Sequence, residues 1–92
     1  MKYVLRYEMA PDADFERIVA LAPAHRARWS TFQDDGSLLL IGPFADPRDG
    51  ALAVFTTREA AEAFATGDPF VVSGGVARWT VTAWNEVLLD PI

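Results

Sequence analysis

The stretch Ser37–Phe55, "SLLLIGPFADPRDGALAVF", decides the fold of this chain. It holds two apolar runs of strand length, Ser37–Gly42 and Ala51–Phe55. The segment between them, Pro43–Gly50, consists mainly of turn-forming residues. Two successive strands joined by a loop of this kind pair as antiparallel neighbours. The centre of the chain therefore predicts an antiparallel sheet.

Two further strands flank this centre. Lys2–Met9 alternates in the manner of a strand with one buried face, and Val76–Val87 is rich in threonine, valine and tryptophan. The buried face of the first strand would carry Tyr3, Leu5, Tyr7 and Met9. The residues after Leu88 resemble a tail.

Helical segments fill the two gaps between these strands. Apolar residues recur with a helical period from Phe15. Because a proline inside a helix removes a hydrogen bond, Pro23 predicts a short helix to about Leu21, followed by a kink or a restart at Pro23 that runs to about Gln33. Thr57 would cap another helix that runs to about Ala65.

The predicted order is β-α-β-β-α-β, an α+β ferredoxin-like fold whose four-stranded antiparallel sheet has its helices on one face. Leu38–Ile41 is apolar at consecutive positions, and Trp79 and Trp84 fall on opposite faces of the last strand. The sheet face without helices should therefore also be apolar, which is typical of an interface. We expect a homodimer formed through this open sheet face.

Length and composition limit the possible functions. The 92 residues, 51% of them hydrophobic, predict a single globular domain over 1–92. The net charge is −5 and the eight basic residues are scattered, which argues against nucleic-acid binding. The apolar runs are too short to span a bilayer and nothing marks export, so we expect no membrane association and a cytoplasmic protein.

His25, the single histidine, is the first candidate for chemistry, because imidazole titrates near neutral pH. If a helix restarts at Pro23, His25 lies in its first turn, where the helix dipole favours the neutral imidazole. The alternative is a core histidine that continues the apolar stripe of the helix. Both interpretations remain open on spacing alone.

Asp68 is the second candidate. Asp68-Pro69 is typical of an N-cap and first helical residue, which is a structural role. Asp46-Pro47 has the same local chemistry and no obvious partner, so the dipeptide alone does not indicate a site. One histidine and no cysteine give no metal centre beyond a weak cation site at Asp46 and Asp49, and we expect no cofactor.

Four motifs, in order, carry a family resemblance. They are "APAH" (22–25), "DGSLLLIGPF" (35–44), "EAAEAFATGDPF" (59–70) and "SGGV" (73–76). Together they make the chain, from about Lys2 to Val87, similar to the YCII-related (YciI-like) family. The resemblance implies a fold of the dimeric α+β barrel group. It also implies a small-molecule enzyme with a His–Asp pair in a pocket, similar in architecture to muconolactone isomerases.

Carried over by position, the resemblance implies catalytic residues His25 and Asp68. The substrate-binding residues would be Gly42, Pro43 and Phe70, with Phe44 in the same cleft. Family members often have arginine at the position of Ala22, so if that arginine holds an anionic substrate, the function is either lost here or moved to Arg26 or Arg28.

The leading hypothesis is a lyase or isomerase that transfers a proton through His25, with Asp68 fixing the imidazole tautomer. A non-catalytic dimeric module that binds a small ligand is the alternative. A purely structural domain is the third possibility, and it predicts no cleft around His25.

Overall fold

Four strands form one antiparallel sheet in the computed structural model, which describes residues 1–87. The strands are β1 (Lys2–Met9), β2 (Leu38–Pro43), β3 (Ala51–Phe55) and β4 (Val76–Trp84), in the order β2-β3-β1-β4. The helices are α1 (Phe15–Asp34), α2 (Arg58–Gly67) and the short α3 (Pro69–Val72), with one 3₁₀ turn at Pro47–Asp49. The predicted α+β ferredoxin-like fold is confirmed.

The core lies between the sheet and α2. The side chains of Leu5, Phe55 and Phe64 are at most 2% exposed. The rings of Phe64 and Phe55 are 5.6 Å apart between centroids, and Phe32 of α1 meets Phe64 edge-on at 5.4 Å. Burying a side chain of this size contributes about 1.5–3 kcal/mol. These contacts fix α1 and α2 on one face of the sheet.

A restart at Pro23 is wrong, since α1 is one helix of 20 residues with Pro23 inside it. The proline leaves only the carbonyl of Val19 without its usual donor, and both residues are exposed, so water can donate to that carbonyl. The helix begins after its cap, Asp14, which accepts hydrogen bonds from the backbone N–H groups of the first turn. His25 is about three turns further on, beyond the reach of the helix dipole at that end.

The sheet face opposite the helices carries exposed apolar side chains. Leu40, Leu52 and Trp84 are 67%, 38% and 49% exposed. Trp84 pairs with Lys2 on this face, whereas Trp79 pairs with Tyr7 on the covered face. β4 ends three residues before the predicted Val87, and the predicted tail after Leu88 lies outside the described residues. No helix in the described part of the chain is both long and apolar enough to cross a membrane.

Candidate active site

A cavity of about 480 Å³ lies between α1 and the helix-covered face of the sheet. This volume is in the range of about 300–1,000 Å³ that is usual for small-molecule sites. Most of its lining is apolar, including Leu5, Met9, Phe15, Ile18, Trp29 and Phe70. The polar groups in the lining are Tyr7, His25 and Arg26. The cavity therefore suits an organic molecule with an apolar body and few polar groups.

The fold brings His25 and Asp68 together at the edge of this cavity. His25 Nδ1 of α1 lies 2.8 Å from Asp68 Oδ1, in the corner between α2 and α3. Asp68 is fully buried, and the His25 side chain is 17% exposed. An ionised carboxylate only accepts hydrogen bonds, so in the neutral imidazole Nδ1 carries the hydrogen.

The other ring nitrogen of His25 is the one available for chemistry. Nε2 has no hydrogen-bond partner within residues 1–87, and it is not one of their buried, unpaired atoms. His25 itself lines the cavity, whereas Asp68 does not. The arrangement places the Nε2 lone pair of a neutral imidazole where a bound molecule can reach it.

Asp68 also has the structural role that its sequence predicts. It caps α3, because Oδ1 accepts from the backbone N–H of Phe70 at 3.2 Å and Pro69 is the first helical residue. A carboxylate has enough lone pairs to accept from this N–H and from His25 at once. The cap and the histidine partner are therefore the same group.

Tyr7 is a site residue that the sequence reasoning missed. Its hydroxyl donates to Asp68 Oδ2 at 2.6 Å, and its side chain is only 4% exposed. Burial, followed by the nearby Asp68 charge, raises the pKa of Tyr7 far above its ordinary value, so this hydroxyl stays protonated and keeps donating. A signal did exist: Tyr7 was predicted on the buried face of β1, and a buried tyrosine hydroxyl needs a partner.

Phe70 holds the imidazole plane. Its ring stacks on that of His25 with centroids 4.0 Å apart and an angle of 18° between the planes. Phe64 meets the same imidazole edge-on at 6.0 Å. A purely structural domain predicted no cleft around His25, and the cavity contradicts that prediction.

The remaining predicted residues divide between the cavity and other places. Gly42 and Pro43 line the cavity, while Phe44 is absent from its lining and lies 5.8 Å from the guanidinium of Arg6. Arg26 lines the cavity as well. Arg28 instead donates to the backbone carbonyls of Phe64 and Ala63, at 3.1 and 2.6 Å, and so ties α1 to α2. Of the two arginines proposed for an anionic substrate, only Arg26 is in place.

The carboxylates considered for a weak cation site have another partner. Asp46 forms a two-pronged pair with Arg48 at 3.1 and 2.9 Å. The hydrogen bond from Arg48 lowers the pKa of the Asp46 carboxyl. Across residues 1–87, no three potential ligands among His, Cys, Asp and Glu come together as a metal site.

The sequence is similar to proteins of a known family. The chain is 33% identical to the protein YciI of Escherichia coli O6:H1 (strain CFT073), over 95% of this chain and 99% of that protein. The figures are the same for the protein YciI of Shigella flexneri. The model of the YCII-related domain matches residues 1–85.

A solved structure shares the fold. It is the 5-chloro-2-hydroxyhydroquinone dehydrochlorinase TftG from Burkholderia phenoliruptrix AC1100, in complex with 2,5-dihydroxybenzoquinone. The TM-score is 0.76 at 18% identity, and the match covers 95% of this chain and 96% of that one. The domain match over residues 1–85 and the two relatives at 33% identity show that the chain belongs to the YCII-related family.

Proposed function

We propose that this protein is a small-molecule enzyme of the lyase or isomerase type, in which His25 transfers a proton. One observation supports this proposal above the others. A fully buried carboxylate holds Nδ1 of the only histidine, while Nε2 remains accessible at an apolar cavity. A positioned base of this kind typically contributes about 10²–10⁴ in rate.

The proposed cycle begins when Nε2 of His25 removes a proton from an acidic C–H or O–H group of the bound molecule. The electron pair left behind expels a leaving group in a lyase or shifts a double bond in an isomerase. Asp68, 2.8 Å from Nδ1, stabilises the imidazolium that forms. The imidazolium then returns its proton to the product at another position, or to water.

The likeness to a dehydrochlorinase supports the lyase form of the proposal. Loss of hydrogen chloride, the reaction stated in the name of that protein, needs a proton to leave as chloride departs. A cavity with mostly apolar walls that His25 lines provides a place for such a base to act. Ring compounds with hydroxyl groups are therefore the first substrates to try.

The proposal is tested by proton exchange in D₂O. Hydroxylated quinones and phenols, including 5-chloro-2-hydroxyhydroquinone, are incubated with the protein, and deuterium uptake and chloride release are followed by NMR and ion chromatography. We expect exchange or elimination with wild type and its loss in His25→Gln. Wild-type turnover in His25→Gln, or no turnover of any compound by wild type, would contradict the proposal.

A non-catalytic binding module remains the alternative, because it would use the same cavity. It predicts saturable binding of such compounds, measured by quenching of Trp29 in the cavity wall, without deuterium uptake. Binding whose affinity His25→Gln leaves unchanged would favour this module over the enzyme.

We further propose that two copies pair through the open sheet face. Val4, Arg6 and Glu8 follow one another on the outer side of β1, so this face offers an apolar side chain and charges of both signs to a second copy. We expect a dimer by light scattering and a shift to monomer in Leu40→Glu. Val72→Glu, at a similarly exposed apolar position on α3, serves as the control and should leave the dimer intact.

A further inference from the structure

We infer that Tyr7 is a positioning residue that fixes the tautomer of His25 through Asp68. The inference rests on the proposed function and adds a third member to the His25–Asp68 pair. The three side chains come from β1, α1 and the α2–α3 corner, and Asp68 contacts both of the others. The hydrogen bond of the phenol goes to Asp68 Oδ2 and not to the imidazole, so its effect on His25 passes through the carboxylate.

The two oxygens of Asp68 have different partners. Oδ1 accepts from His25 Nδ1 and from the backbone N–H of Phe70, whereas the Tyr7 hydroxyl is the donor to Oδ2 among the described residues. Asp68 is 0% exposed, so water cannot easily take the place of a lost donor. The orientation of the carboxylate therefore depends on the phenol.

Tyr7 is held rigidly enough for this role. It lies within β1 and pairs with Ala51 of β3 on one side and with Trp79 of β4 on the other. The charged groups near its hydroxyl are Asp68, which accepts its hydrogen bond, and the guanidinium of Arg28. A donor fixed on an inner strand of the sheet keeps Oδ1 directed at His25.

Loss of the hydroxyl has a specific consequence for His25. A buried carboxylate without a donor at Oδ2 loses stabilisation of its charged form. Rotation of the Asp68 carboxylate away from Nδ1 then lets Nδ1 give up its hydrogen, and the hydrogen moves to Nε2. An imidazole protonated at Nε2 presents no lone pair to the cavity and cannot begin the proposed cycle.

The tautomer can be measured without a substrate. His25 is the only histidine, so its two ring ¹⁵N signals are unambiguous in a uniformly labelled protein at a pH where the imidazole is neutral. We expect wild type to carry the hydrogen on Nδ1 alone, and Tyr7→Phe to show partial or complete transfer to Nε2. Tyr3→Phe removes the other tyrosine, whose ring lies near the guanidinium of Arg58, and should leave the tautomer unchanged.

A second measurement covers the case in which Tyr7→Phe does not fold. Tyr3→Phe protein is made with 3-fluorotyrosine, so that Tyr7 alone carries a more acidic phenol of nearly the same shape. We expect the Nδ1–H resonance of His25 to shift relative to the unfluorinated protein.

A Tyr7→Phe protein that keeps the wild-type tautomer would overturn the inference, and so would an unmoved His25 resonance after fluorination. Either result would leave the proposed function standing, because that proposal depends on whether His25→Gln abolishes turnover.

Discussion

Two Asp-Pro corners in this molecule share their local chemistry and differ in everything around it. In each, the aspartate caps a short helix and accepts from the backbone N–H two residues ahead, Arg48 N for Asp46 at 3.0 Å and Phe70 N for Asp68 at 3.2 Å. Asp46 then pairs with the side chain of Arg48 at the surface. Asp68 is fully buried and instead holds groups from two other elements of the fold.

The difference shows where the chemistry of the site comes from. The partner of Asp46 is two residues away, while Tyr7 and His25 are 61 and 43 residues from Asp68. The dipeptide produces a turn in both places. At Asp68 alone, the sheet and α1 pack over the turn, so that the carboxylate is buried and contacts the imidazole of His25.

The largest difference is expected from removing each carboxylate. Asp68→Ala leaves the buried Tyr7 hydroxyl without an acceptor and removes the cap of α3, which together cost about 2–4 kcal/mol of unfolding free energy. Asp46→Ala also removes a cap, but the pair it loses lies at the surface and it leaves no buried hydroxyl without an acceptor, so it should change stability less. Urea denaturation measures both, and equal losses would mean that burial of Asp68 is not what distinguishes the corners.

Each corner is followed by a glycine with a positive φ, Gly50 after Asp46-Pro47 and Gly74 after Asp68-Pro69. Replacing these glycines should destabilise the protein more at the surface corner than at the buried one. Gly50 has a φ of +108°, and a Cβ there would lie 2.0 Å from the backbone oxygen of Tyr7. Gly50→Ala should therefore cost about 1–3 kcal/mol for its backbone conformation, and more as β1 is displaced. Gly74, with a φ of +84° and nothing within 4 Å, should cost about 1–2 kcal/mol as alanine. Thermal unfolding compares them, and a smaller loss in Gly50→Ala would be inconsistent with this packing.

The buried corner should also make the free energy of unfolding depend on pH in the alkaline range. The folded-state pKa of Tyr7 is raised by burial and by Asp68, so its contribution is fully present below its ordinary value of about 10 and is lost as pH rises above that value. The unfolding free energy of wild type should fall more steeply above about pH 10 than that of Tyr7→Phe. Parallel pH profiles would show that Tyr7 ionises equally easily in the folded and unfolded chain.

The smallest change in stability is expected at low pH, where the surface corner around Asp46 titrates. Arg48 lowers the pKa of the Asp46 carboxyl, so this pair stabilises the fold above the ordinary value of about 3.9 and loses its effect as pH falls. Asp46→Asn should flatten the acid side of the stability profile slightly and leave the alkaline side unchanged. A change on the alkaline side would mean that the two corners are coupled, although their carboxylates have different partners in the structure.

Local patterns in the sequence were enough to predict much of the fold. Alternation placed Leu5 and Tyr7 on the buried face of β1, and the turn formers of Pro43–Gly50 gave the β2–β3 hairpin. The error at Pro23 has a physical cause, since a proline on the exposed side of a helix costs only one hydrogen bond to a carbonyl that water reaches. Whether that cost breaks a helix depends on packing, which the local sequence does not reveal.

The site was predictable only in part. The family resemblance suggested His25 and Asp68, but the contact between them depends on how α1 packs against the α2–α3 corner. Tyr7 was missed because its partner lies 61 residues away. Arg26 and Arg28 are two positions apart on one helix, and only tertiary packing assigns the first to the cavity and the second to α2.

The rate of proton transfer in Asp68→Asn, compared with that in Asp46→Asn, shows whether the buried carboxylate beside His25 is part of the catalytic site. Both changes replace a capping carboxylate by an amide of the same shape, and deuterium uptake by the compound that wild type exchanges fastest gives the rate. We predict a loss of about 10²–10⁴ in Asp68→Asn, because the amide no longer holds the productive tautomer or stabilises the imidazolium, and the wild-type rate in Asp46→Asn. Equal rates in the two variants would contradict the account.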